Sequence, residues 1–159
     1  ISYQKEYGVN VVIARPCHTF GANVTETDNR ATAQFLKAAA KGIDIKMYSE
    51  GKQRRSFAYV ADCVSGLLTI LTRGVSGKVY GVSNGEICTV KEFADKCAEA
   101  GKCRVEIHLP DKLEKAETSP ICDQIVENQG LKALGWRPSF SIEEGIKESV
   151  KIIRKVGDV

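Results

Sequence analysis

Apolar positions along the 159-residue chain fall into short runs that alternate with helical stripes. Val9-Asn10-Val11-Val12-Ile13-Ala14 is a β-branched run bounded by Gly8 and by Arg15-Pro16, which predicts a buried strand. Residues 20–29 carry Gly, Asn, Thr and Asp without a period and read as a loop. From Arg30, the spacing of Ala31, Gln34, Phe35, Ala38 and Ala39 predicts a helix closed by Gly42. Ile43 to Tyr48 then alternates as a strand does. After the polar turn 49–53, the β-prone stretch Ser56 to Val60 leads into a second helix that stops near Gly74. Val60, Val64, Leu67, Leu68 and Leu71 mark one face of that helix, and this apolar face is expected to pack on a sheet.

Lys78 to Ser83 predicts another strand. Thr89-Val90-Lys91-Glu92 has the form of a capping box, in which the threonine hydroxyl accepts from the Glu92 amide while Glu92 reaches back to the Thr89 amide. Val90, Phe93, Ala94 and Cys97 continue as a helical stripe ending at Gly101, and Arg104 to Leu109 alternates like a half-buried strand. Ser141-Ile142-Glu143-Glu144 is a second capping box, opening a closing helix with Ile142, Ile146, Val150 and Ile153 on one face. No internal repeat or linker interrupts the chain. Strands alternating with helices predict an α/β or α+β unit.

Composition narrows the class. With 43% hydrophobic and 27% charged residues the chain can bury a core, which excludes disorder. The net charge of +3 is small and dispersed, so no nucleic-acid partner is expected. No apolar stretch approaches the roughly 20 residues that span a bilayer, and no signal segment opens the chain, so no membrane partner is expected and the localisation expected is cytoplasmic. The six cysteines, at 17, 63, 88, 97, 103 and 122, form no Cys-x-x-Cys pair and are accompanied by two histidines. That spacing suits neither a zinc site nor a disulfide framework, and reduced thiols are expected.

Two general phosphate-binding motifs are missing: there is no Gly-x-Gly-x-x-Gly and no Walker loop. Cys17 and His18 are a nucleophile and a base side by side, but adjacent residues on an extended segment point to opposite faces, which makes a poor dyad. The strongest local signal is Gly51-Lys52-Gln53-Arg54-Arg55-Ser56-Phe57-Ala58-Tyr59-Val60-Ala61-Asp62. Its arginines offer forked donors to phosphate or carboxylate, and Phe57 and Tyr59 share a strand face. Taken alone, the segment reads as a solvated basic turn sooner than as a ligand site, and Asp62 as a first-turn residue facing a helix dipole.

Five segments in order resemble the extended short-chain dehydrogenase/reductase family, the NAD-dependent nucleotide-sugar epimerases, 4,6-dehydratases and decarboxylases. Arg15-Pro16-Cys17-His18-Thr19-Phe20-Gly21 is similar to its Arg-Pro-x-Asn-Val-Tyr-Gly, and Lys46-Met47-Tyr48-Ser49-Glu50-Gly51 to its Pro-Ile-Tyr-Gly-Asp-Gly. Gln53 to Asp62 resembles Gln-x-Arg-Asp-Phe-x-Tyr-Val-Asp-Asp, and Lys78 to Ser83 resembles the Tyr-Asn-Val-Gly strand. Leu134-Gly135-Trp136-Arg137-Pro138 is similar to Leu-Gly-Trp-x-Pro, with Glu143 to Ile146 matching the closing Glu-Glu-Gly-Ile helix.

The resemblance implies an α/β fold: the C-terminal part of an extended Rossmann-like NAD-dependent epimerase/dehydratase, with its last sheet strands and a small α/β substrate-binding domain. Residues 1–159 would be this mainly substrate-binding portion, the back half of a protein of about 300 residues. The N-terminal dinucleotide-binding portion and the catalytic Tyr-x-x-x-Lys pair are absent from the chain, and Ile1 to Gly8 looks like the end of the helix bearing that pair. The chain alone is therefore expected to be catalytically inert and to hold no NAD or NADP, while the intact protein would use it and form a homodimer.

For substrate binding the resemblance points to Arg55 gripping the diphosphate of a nucleoside-diphosphate sugar, His18 standing where an asparagine usually bonds that diphosphate, and Lys46, Met47 and Tyr48 lining the base. Pro16 and Cys17 would approach the nicotinamide through backbone atoms, and Lys115 is a loose match for a second phosphate or ribose arginine. Gly81 replaces a usual asparagine, removing a side-chain donor from the substrate side, and Ser56, Ala61 and the segment 127–130 depart from the pattern as well. Two rival readings are a stand-alone nucleotide-sugar sensor and a family reductase acting on a small carbonyl compound.

Overall fold

At Pro16 and Cys17 the chain leaves one sheet and enters another. The structure, a computed structural model, describes residues 2–109 and 121–157. After a short helix α1 (Ser2–Tyr7), β1 (Ile13–Pro16) is followed at once by β2 (His18–Phe20). Then come α2 (Ala31–Lys41), β3 (Ile45–Met47), β4 (Arg54–Tyr59), α3 (Val60–Arg73), β5 (Val79–Val82) and β6 (Ile87–Thr89). The chain closes with α4 (Val90–Gly101), β7 (Val105–Ile107), β8 (Asp123–Gln124), α5 (Gln129–Ala133) and α6 (Ile142–Val156).

The strands β1 and β5 pair in parallel, Ile13 opposite Val79 and Pro16 opposite Val82. The second sheet centres on β4, which takes β2 and β8 in parallel and β6 antiparallel; β3 and β7 make a third, parallel pair. The first predicted strand thus starts later than the apolar run, at Ile13, and β2, β6, β8 and α5 are short elements with no periodic signal of their own. Helix ends follow the sequence closely. Gly42 closes α2 with φ 67°, and both capping boxes form, Thr89 with Glu92 and Ser141 with Glu144.

Helices α2, α4 and α6 cover one core containing Phe20, Leu36, Phe57, Phe93, Ile142 and Ile146. Phe57 and Phe93 stack with centroids 4.6 Å apart, and Phe20 meets Phe93 edge-on at 5.1 Å. A second cluster, Ala58, Cys63, Ile70, Tyr80, Val82, Leu131 and Trp136, lies between α3, β5 and α5.

The face of α3 expected to be buried is the exposed one. Leu68 is 56% and Leu71 72% exposed, and Val60, Val64 and Leu67 are exposed too. Inward instead point Asp62, Cys63, Gly66 and Ile70. Periodicity marks a stripe but not what covers it, and here the small side packs inward while the leucines are left bare. The same is true of β1, which has β5 as its sole partner among the described residues. A two-stranded parallel pair is ordinarily an incomplete sheet, since parallel sheets are buried on both faces. Among the described residues no helix is long and apolar enough to cross a membrane.

Asp62 does more than face a dipole. It is 1% exposed, and its two carboxylate oxygens accept from the Ser139 amide (2.8 Å) and the Phe140 amide (3.0 Å), pinning the turn before α6 to the start of α3. Asp62→Ala leaves two amides without acceptors and is expected to lower unfolding free energy by about 2–4 kcal/mol in urea denaturation. Asp62→Asn, which keeps one acceptor oxygen, is expected to lose about half of that; equal midpoints for all three proteins would refute the assignment.

Candidate functional site

Two clefts meet along the start of α2. One, of about 470 Å³, is lined by Cys17, His18, Thr19, Arg30 and Arg55 over a floor that includes Phe57. The other, of about 540 Å³, runs past Asn29 and Gln34 to Lys46, Met47, Tyr48 and Ser49. Ala31, Phe35 and Val90 line both, so the two form one groove with the arginines at one end and the Lys46 to Ser49 segment at the other. Arg55 and His18 are thereby brought together, and Lys46, Met47 and Tyr48 are placed at the far end.

Strand alternation separates the two arginines. Arg54 turns outward and forks onto Asp123, Nε to Oδ1 at 3.1 Å and Nη2 to Oδ2 at 3.0 Å. Arg55 turns inward and is 7% exposed, which excludes a solvated turn. Its Nη1 donates to the carbonyls of Arg54 (2.9 Å) and Cys122 (3.0 Å), and its Nη2 to that of Ile121 (2.8 Å). Three of five N–H groups are engaged in this way. Among the described residues the other two have no partner, which is enough for one bidentate contact with an anion.

His18 is held by its parallel register opposite Phe57, with ring centroids 5.9 Å apart, and by a 3.0 Å bond between its Nε2 and Oε1 of Gln124. At the other end Met47 is a core residue, while Lys46 and Tyr48 are exposed. The amide of Ile45 donates to Arg104 (2.8 Å) and the carbonyl of Met47 accepts from His108 (2.8 Å). Alternation along a parallel ladder therefore turns the N–H and C=O of Lys46 to the edge that β7 does not cover. Tyr48 lies beside His108, centroids 6.3 Å apart.

Cys17 is no nucleophile. Burial, with Cys63 nearby, pushes its thiol up to about 12, and its Sγ lies 4.0 Å from the His18 carbonyl rather than toward the imidazole. Its backbone is engaged as well: the amide donates to Val82 (3.0 Å), and the carbonyl accepts from the Thr19 hydroxyl (3.3 Å). Pro16 has no amide hydrogen to offer. At Gly81 a Cβ would stand 2.0 Å from the Glu127 carbonyl oxygen, so the missing side chain faces a backbone segment and not the groove. Lys115 lies outside the described residues.

One residue of this groove, Arg30, and one that holds His18, Gln124, had no functional reading from the sequence. Arg30 precedes α2, and its guanidinium is oriented by Asp28, Nε to Oδ1 at 3.0 Å; the Arg30 hydrogen bonds hold the Asp28 carboxyl down at about 2. A cation at a predicted helix start beside a loop was the signal for it. Gln124 had none, because only pairing of β8 with β4 brings it to His18.

A sequence profile described as the NAD dependent epimerase/dehydratase family matches residues 1–83. The chain belongs to this family. UDP-glucuronic acid decarboxylase 1 of Danio rerio is 31% identical over 150 residues, 94% of this chain and 35% of that protein. Among solved structures, UDP-glucose 4-epimerase of Thermotoga maritima, determined with UDP-glucose, superposes with a TM-score of 0.83 at 23% identity over 98% of this chain and 49% of its own. dTDP-glucose 4,6-dehydratase of Bacillus anthracis, determined in complex with NAD, gives 0.80 at 19% identity over 97% and 48%. The chain thus has the fold of the later part of a Rossmann-like epimerase/dehydratase and spans half or less of the length of each of these proteins.

The described residues do not themselves fit a dinucleotide. No glycine-rich turn joins a strand to a helix N-terminus here, Pro16 lacks an amide hydrogen, and the Cys17 backbone has the engagements given above.

Proposed function

We propose that this chain is the nucleotide-sugar-binding portion of an enzyme that epimerises, dehydrates or decarboxylates a nucleoside-diphosphate sugar. The single observation that carries this reading is the two-ended groove. A buried arginine with two donors uncommitted among the described residues, an oriented second arginine and an imidazole suit a diphosphate, and the strand edge at Lys46 to Tyr48 suits a base. Cofactor chemistry would come from NAD: oxidation at C4 of the sugar acidifies the neighbouring carbon, which makes proton loss feasible for a positioned acid/base. This chain's residues bind and orient; neither the acid/base pair nor the dinucleotide site is among them, so the chain alone does not turn over.

The dinucleotide-binding portion of the intact protein would sit on the bare leucine face of α3 and beside the open edge of β1. Those two surfaces are the places where the fold lacks a layer. The intact protein would act in the cytoplasm as a homodimer.

Titration calorimetry with UDP, dTDP and uridine tests the groove. Both diphosphates are expected to bind and uridine to bind far more weakly, with Arg30→Ala losing about tenfold in diphosphate affinity and none in uridine affinity, the loss of one charge-assisted contact at an exposed rim. Absence of binding by both diphosphates would remove the proposed role.

A further inference from the structure

We infer that Gln124 is a positioning residue that fixes the protonation pattern of the His18 ring, so that His18 meets an anionic ligand only by taking up a proton. The inference rests on reading the cationic end of the groove as the diphosphate site. It begins with the 3.0 Å contact between Nε2 of His18 and Oε1 of Gln124. A carbonyl oxygen only accepts, so the hydrogen of the neutral ring sits on Nε2 and Nδ1 carries a lone pair. A lone pair repels a phosphate oxygen. The ring gains a second donor once a proton arrives from the buffer and binds Nδ1.

Gln124 can impose this because it is itself held. It lies on β8 in register with Arg55 on β4, its neighbour Asp123 is forked by Arg54, and Arg55 binds the carbonyls of residues 121 and 122. Two residues beyond it, the Val126 amide donates to the Ser56 hydroxyl at 3.0 Å. Phe57 backs the ring from β4. The charged groups around His18 are Arg55 from β4, Arg30 with Asp28 from the start of α2, and Asp123 with Arg54 across β8 and β4; the Cys17 thiol beside it stays neutral. A bound diphosphate adds the negative charge that favours the imidazolium.

The test combines ring nitrogen NMR with calorimetry of UDP in buffers of different ionisation enthalpy, at about pH 8, where an ordinary imidazole is neutral. In the native chain the Nε2–H form is expected, with a net proton uptake on binding UDP. Gln124→Leu is expected to shift the ring toward the Nδ1–H form and to halve the uptake or more, because the neutral ring then donates directly. Gln124→Glu, which keeps an acceptor in place, is expected to restore the native form. His18→Asn should abolish the uptake. An Nδ1–H ring in the native chain, or a form and uptake that Gln124→Leu leaves unchanged, would overturn the inference. If UDP does not bind the native chain at all, the reading of the groove falls, while the NMR still decides the His18–Gln124 pairing on its own.

Discussion

Arg55→Ala is expected to abolish high-affinity diphosphate binding and to destabilise the fold by about 3 kcal/mol or more. Both effects follow from one guanidinium with two sets of partners. Three of its N–H groups tie the carbonyls of residues 54, 121 and 122, and hydrogen bonds to a charged group contribute about 1.5–3 kcal/mol each. Their loss releases the segment that carries Gln124 from β4. The remaining pair of donors is the bidentate contact proposed for the ligand, worth about 2–3 kcal/mol, or roughly 30- to 150-fold in affinity. Arg55→Lys separates the two. An ammonium keeps the charge but lacks the planar fork, so it can serve a backbone carbonyl or an anion and not both in this geometry. We expect Arg55→Lys to recover part of the stability and little of the affinity. Urea denaturation and calorimetry with UDP measure the two separately. Native affinity in Arg55→Ala would remove the residue from the ligand site, and an unchanged denaturation midpoint would contradict its structural bonds.

Gly81→Asn restores the residue that the family resemblance expects after Tyr80, and it is expected to unfold the chain or to lower its stability by more than about 3 kcal/mol. The reason is steric and lies in the backbone. A Cβ at position 81 would stand 2.0 Å from the Glu127 carbonyl oxygen and 2.8 Å from Cγ1 of Val126. That stretch cannot simply step aside: the Val126 carbonyl accepts from the Ser83 hydroxyl at 2.7 Å, and the Asn128 side chain donates to the Ser83 carbonyl at 2.8 Å. Gly81→Ala is expected to do nearly as much damage as asparagine, since the Cβ is the offending atom. An alanine variant that melts like the native chain would show that residues 126–128 can yield, and would return position 81 to the discussion of substrate contacts.

The sequence by itself determined what depends on neighbours three or four residues apart and on the order of segments. Thr89 with Glu92 and Ser141 with Glu144 form their boxes because both partners of each bond lie in one helical turn. Gly42 ends α2 because glycine enters the left-handed region without a Cβ penalty. The order of the Arg-Pro, Tyr, Gln-x-Arg and Leu-Gly-Trp segments pointed to the family and singled out Arg55, His18 and the Lys46 to Tyr48 strand as binding candidates.

Only the tertiary structure decided which sides of these elements are covered. On α3 the stripe through Leu67, Leu68 and Leu71 announces an apolar face, yet Cys63 and Ile70 pack against Tyr80, Val82, Leu131 and Trp136 while the leucines stay bare. Arg55 is buried by residues 121 and 122, 66 and 67 positions away along the chain. Gln124 reaches His18 across 106 residues, and Gly81 is forced by a carbonyl at position 127. A helical period or a cap is set by bonds inside one turn, whereas burial and donor saturation depend on which distant backbone passes by, and no local pattern encodes that.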